Sequence, residues 1–113
     1  MHELSLVASI IESIDRDARD RAIKKITRAR IVVGELSSVN TRALSFALEN
    51  VGGGTVLEGA EIEIFVREAR EKCRDCRREF KPLPPFYQCP ACGQTVVPGA
   101  ESRQVYIDYY EGE

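Results

Sequence analysis

The chain has 113 residues, 43% hydrophobic and 30% charged, with a formal net charge of −2. That length supports one modest core and at most a satellite held by metal, and the near-balanced charge excludes a general polyanion binder. No apolar run approaches a bilayer span and no Lys/Arg-rich region precedes the first apolar stretch, so a soluble cytoplasmic protein with no membrane partner is expected.

Residues 4–18 place Leu4, Val7, Ala8, Ile11, Ile14 and Ala18 at helical spacing and predict an amphipathic helix. The charged stretch Asp15–Arg21 either ends it or extends it as a solvated continuation. From about Lys24 to Leu36 the period becomes β-like. Ala29, Ile31 and Val33 alternate with Arg28, Arg30 and Val32, with Gly34 loosening the end. Ser37–Thr41 reads as a turn rich in helix caps. A second helix follows, with Ala43, Leu44, Ala47, Leu48 and Val51 on one face, and Gly52–Gly54 stops it. Residues 59–69 read as a second strand, with Ile62, Ile64 and Val66 opposed to Glu61, Glu63, Phe65 and Arg67. Gln104–Tyr110 alternates again, and a lone terminal strand is unstable alone, so it should return to pair with the earlier strands. The expected fold is α+β: two helices on a sheet of about three strands, with a zinc ribbon inserted before the last strand. Residues 1–70 plus 99–113 form the first unit and residues 71–98 the ribbon.

The ribbon carries Cys73-Arg74-Asp75-Cys76 and Cys89-Pro90-Ala91-Cys92-Gly93. Two residues between cysteines let both sulfurs turn toward one point. Two such pairs supply the four corners of a structural zinc site. About twelve residues separate the pairs, enough for the chain to fold back. The competing reading, two disulfides, belongs to an oxidising compartment and loses ground in a reducing cytosol. Four thiolates leave no open position for substrate or water, so an enzyme is not expected.

The chain opens Met1-His2-Glu3, and His2 is the only histidine. The α-amine, the His2 amide nitrogen and the imidazole Nδ1 can close two fused chelate rings, with Glu3 completing a plane. Flat, nitrogen-rich coordination suits Ni(II) or Cu(II) better than Zn(II). The alternative is an uninvolved surface histidine.

Together, Met1-His2-Glu3-Leu4-Ser5, Val33-Gly34-Glu35-Leu36-Ser37, Glu58-Gly59-Ala60-Glu61-Ile62 and the two cysteine pairs resemble the HypA/HybF hydrogenase-maturation nickel chaperones over essentially the full length. The resemblance implies nickel at Met1, His2 and Glu3 as transferred cargo, and structural zinc at Cys73, Cys76, Cys89 and Cys92. It implies delivery to the [NiFe]-hydrogenase large-subunit precursor, with a nickel-handling GTPase as partner. Some members also serve urease maturation. One departure concerns Asn40, where many members carry an acid. Asn40 is a poorer ligand but a good helix N-cap, and the cap is the favoured reading.

The rival from another class is a zinc-ribbon module that binds nucleic acid or protein. Residues 67–81 carry Arg67, Arg70, Lys72, Arg74, Arg77, Arg78 and Lys81 against four acids, an excess of three positive charges. Phe80, Phe86 and Tyr87 offer stacking faces. Interleaved acids argue against nucleic acid. Arg77, Arg78, Phe86 and Tyr87 are instead read as a docking surface for a protein partner. Hinges near Arg70 and Gly99 also allow a homo-oligomer by strand exchange.

Overall fold

In the computed structural model, the described residues are 3–51, 53–85 and 87–113, with the side chains of Glu3 and Val51 excepted. The first helix, α1, runs Glu3–Asp20 and buries Leu6, Val7, Ile10, Ile14 and Ala18. The charged stretch continues it. Glu12–Arg16, Asp15–Arg19 and Asp17–Arg21 pair at 2.9, 3.1 and 3.1 Å, each acid one turn ahead of its base, the favourable order. A Schellman turn ends α1: the Ile23 N–H donates to Ala18 O at 2.8 Å and the Ala22 N–H to Arg19 O at 3.0 Å. Ala22 takes φ +58° at the position where glycine is usual.

Strand β1, Ile26–Gly34, is the centre of the sheet. On one side it pairs in parallel with β2, Glu61–Arg67, the crossover being α2, Thr41–Val51. On the other it pairs antiparallel with β5, Val105–Gly112, so the last strand does return. The helices cover one sheet face, where Ala29, Ile31, Val33, Leu44 and Leu48 join the buried residues of α1. On the opposite face the Arg30 guanidinium lies 4.4 Å from the Phe65 ring centroid, with Asp108 and Glu63 at 3.6 and 4.0 Å. Phe65 and Tyr106 flank Val32 in register and leave it only 4% exposed.

Between β2 and β5 lie two strands too short to read from sequence, β3 (Glu71–Lys72) and β4 (Glu79–Phe80), which pair antiparallel. One turn of helix, α3, Ala100–Arg103, precedes β5 and was also not anticipated. The molecule extends 53 × 25 × 18 Å. An 18-residue helix is about 27 Å long and a 9-residue strand about 30 Å, so α1 spans the length of β1. Because α1 runs back along β1, its start lies at the strand's C-terminal end. That end also holds residues 35–40, the start of α2, and both connections to the cysteine segment.

Gly34 does not loosen the strand. It is buried, and a Cβ there would lie 2.5 Å from Ser102 O. Glycine is required because the returning backbone crosses directly over it.

Candidate metal centre

The two cysteine pairs build two turns of one design. In the first, the Arg77 N–H donates to Cys73 O at 2.9 Å and the Cys73 N–H to Arg78 O at 3.0 Å. In the second, the Gly93 N–H donates to Cys89 O at 2.8 Å and the Cys89 N–H to Gln94 O at 2.9 Å. The fifth residue of each turn is left-handed, Arg77 at φ +62° and Gly93 at φ +76°. Beneath the sulfurs, Cys73, Phe80 and Cys89 are buried together with Val96 against them, a small core for so long a segment.

All four Sγ atoms lie within 4.8 Å of one another. Cys73 and Cys92 are 3.5 Å apart, as are Cys76 and Cys89. A disulfide needs about 2.05 Å, whereas tetrahedral Zn–S bonds of about 2.3 Å put sulfurs about 3.8 Å apart. The donor set therefore fits zinc, and the two contacts run between pairs rather than within them. The turns also aim backbone N–H groups at sulfur. The Cys76 N–H, then that of Asp75, holds the Cys73 thiol below its ordinary value. The Cys92 N–H, then that of Ala91, lowers Cys89 to about 7. Cys92 is pushed up to about 12: the Gln94 N–H favours its thiolate, but the Cys73 sulfur, burial and the other sulfurs outweigh it. The Arg78 N–H favours the Cys76 thiolate, but the Cys89 sulfur, burial and the Cys73 sulfur outweigh it and raise Cys76 as well. A cation that binds all four sulfurs must displace the protons they carry.

Of the other residues singled out from sequence, Met1, His2 and Phe86 lie outside the described residues, and so does the Glu3 side chain. Asn40 caps α2: its Oδ1 accepts the Ala43 N–H at 3.0 Å. Beside it Ser38 takes φ +64° and Ser37 Oγ accepts the Val39 N–H at 3.3 Å, so this loop is tightly wound. In the basic stretch, Arg67, Arg70 and Lys81 are engaged by Glu101, Glu68 and Glu35 at 3.5, 3.6 and 3.2 Å. These pairs reduce the positive field a polyanion would meet.

Sequence reasoning missed Glu35 and Glu71 as individual residues. Glu35 Oε1 accepts the Ala69 N–H at 3.0 Å. Glu71 Oε1 accepts the Gly99 N–H at 2.7 Å and the Ser102 hydroxyl at 3.0 Å. Their partners are about thirty residues away in sequence, and only the glycine beside Glu35, at the end of a strand, signals a close crossing.

A family model described as "HypA: Hydrogenase/urease nickel incorporation, metallochaperone, hypA" matches residues 1–112. The "Hydrogenase maturation factor HypA" of Moorella thermoacetica is 41% identical over 114 residues, covering 100% of both chains. That of Solidesulfovibrio magneticus is 39% identical over 120 residues, also covering 100% of both. The solution structure of the Ni metallochaperone HypA from Helicobacter pylori matches with a TM-score of 0.75 at 26% identity, over 99% of this chain and 97% of that one. A full-length match, the same fold and four converging thiols lead to one conclusion: this chain belongs to the HypA family of metallochaperones for nickel incorporation into hydrogenase and urease.

Proposed function

We propose that the chain carries Ni(II) at its N-terminus and surrenders it to the [NiFe]-hydrogenase large-subunit precursor in the cytoplasm, working with a nickel-handling GTPase. The Met1 amine, the His2 amide nitrogen and imidazole, and Glu3 form the carrying site. The unit 1–70 plus 99–113 bears the nickel. Residues 71–98 form a ribbon in which Cys73, Cys76, Cys89 and Cys92 hold zinc. Bound zinc supplies a rigid crosslink and no reactivity, since four thiolates fill its coordination sphere.

The observation that carries this reading is the match over residues 1–112, which takes in the Met1-His2-Glu3 opening and both cysteine pairs. The fold supports it. The start of α1, the capped start of α2 and the tight Ser37–Asn40 turn gather at one end of the sheet, where a partner's ligands can approach. A loosely held cargo needs such an exposed place. Its release is eased by acid, because the α-amine and imidazole have ordinary pKa values of about 7.7–8.0 and 6.5 and compete for protons with the metal.

Calorimetric titration of nickel into the untagged, zinc-loaded protein tests the reading. Binding should be lost in His2→Ala. Acetylating the α-amine should also weaken it strongly, because the blocked nitrogen no longer closes a chelate ring with the His2 amide. Undiminished nickel binding in both the His2→Ala and the acetylated protein overturns the N-terminal site.

A further inference from the structure

The three residues Gly34–Leu36 bind both chain segments that connect the sheet to the cysteine ribbon. The Glu35 N–H donates to Arg67 O at 3.0 Å, on the outgoing segment. The Gly34 and Leu36 N–H groups donate to Gln104 O and Ser102 O at 2.7 and 2.8 Å, on the returning one. The Glu35 side chain then reaches past the backbone. Its Oε1 accepts from Ala69, which is 1% exposed, and its Oε2 lies 3.2 Å from Lys81 Nζ, immediately after β4. On the ribbon side, Glu71 binds Gly99 and Ser102 and joins the outgoing and returning segments into one stem.

We infer that Glu35 is a positioning residue that fixes the angle between the cysteine ribbon and the helix-covered sheet. Both of its oxygens are engaged, so its role is orientation rather than coordination. Two contacts in different places constrain rotation better than one. The Ala69 N–H locates the base of the stem, and Lys81 ties down the far strand of the β3–β4 pair. A backbone donor and a cation both favour the carboxylate, first Ala69 and then Lys81, so Glu35 is held below the usual carboxylate range and stays charged near neutrality. Residues 37–40 follow directly on the Gly34–Leu36 segment, with Ser38 left-handed and Asn40 capping α2. A swing of the ribbon therefore pulls on the turn at the end of the sheet where α1 begins. The inference concerns this joint and stands whichever ion the N-terminus carries.

The test uses the zinc-loaded full chain and measures residual dipolar couplings of backbone amides on both sides of the joint. The native protein should fit one alignment tensor. Glu35→Ala should need two, while keeping one zinc per chain and internally consistent couplings within each part. In the same variant, exchange of the Ala69 amide should quicken by about tenfold or more. Glu35→Gln keeps an oxygen for Ala69 and loses the charge. It should therefore retain the slow Ala69 exchange yet show the loosened alignment, as should Lys81→Met. The double variant should loosen it no further than either single one. Should Glu35→Ala fail to fold, the Gln and Met variants decide. A single alignment tensor in all folded variants overturns the inference.

Discussion

Arg77 and Gly93 hold equivalent places in the two metal turns, both with positive φ, yet only one is glycine. For an L-residue that conformation costs about 1–2 kcal/mol, while glycine adds about 0.5–1 kcal/mol of chain entropy. Arg77→Gly should therefore stabilise the turn by about 0.5–1 kcal/mol, read as tighter zinc in a chelator competition, by about threefold. The cysteines themselves were fully legible, because metal coordination permits few spacings. The strain at Arg77 was not, because an arginine in a charged stretch gives no sign of its backbone angle. The role of Gly34 is ambiguous in the sequence. A glycine at a strand end is compatible with fraying and with a crossing chain, and only the position of Ser102 distinguishes them.

At the level of elements, the helices and the three long strands followed from hydrophobic period, because each has one face in a single core. The short pairs β3–β4 and the single turn α3 have too few residues to show a period. One link between elements is sensitive to pH. The Tyr110 hydroxyl on β5 donates to the Asp17 carboxylate on α1. Tyr110 first, and Arg21 with it, holds Asp17 below its ordinary value despite some burial. Asp17 raises Tyr110 in turn. A lowered carboxyl contributes stability above its unfolded pKa and loses it as pH falls through the folded one. A raised phenol contributes below its unfolded pKa and loses it as pH rises through the folded one. Tyr110→Phe should therefore unfold at lower urea than the native chain near neutrality. The gap should narrow below about pH 4 and again above about pH 10, as followed by urea midpoints across pH.

For the whole molecule, the contrast is between a core shared by two helices and three strands and a ribbon whose buried cluster is Cys73, Phe80, Cys89 and Val96. Structural zinc contributes about 10–16 kcal/mol in zinc-finger peptides, far more than so small a cluster can. Stripping zinc with a chelator, or Cys73→Ser, should unfold the ribbon while most of the helical circular dichroism remains, since α1 and α2 lie wholly outside it. Simultaneous loss of both signals would show that the sheet depends on the metal. That the last strand returns was legible from its alternation. The angle of the ribbon was not, because it rests on the hydrogen bonds of Glu35 and Glu71 to distant backbone.

Strand β5 is made after the other four strands, yet it pairs along one whole edge of the central strand. The sheet therefore cannot close until the intervening ribbon has been synthesised. Metal uptake by the four thiols would draw residues 73 and 92 together early, roughly halving the loop left to close between β2 and β5 and lowering its entropic cost by about 0.6 kcal/mol. Chain supplied with zinc at the start of refolding should thus complete its sheet about threefold faster than chain that receives the ion afterwards. The crosslink would act as a folding accelerator before it serves any other purpose.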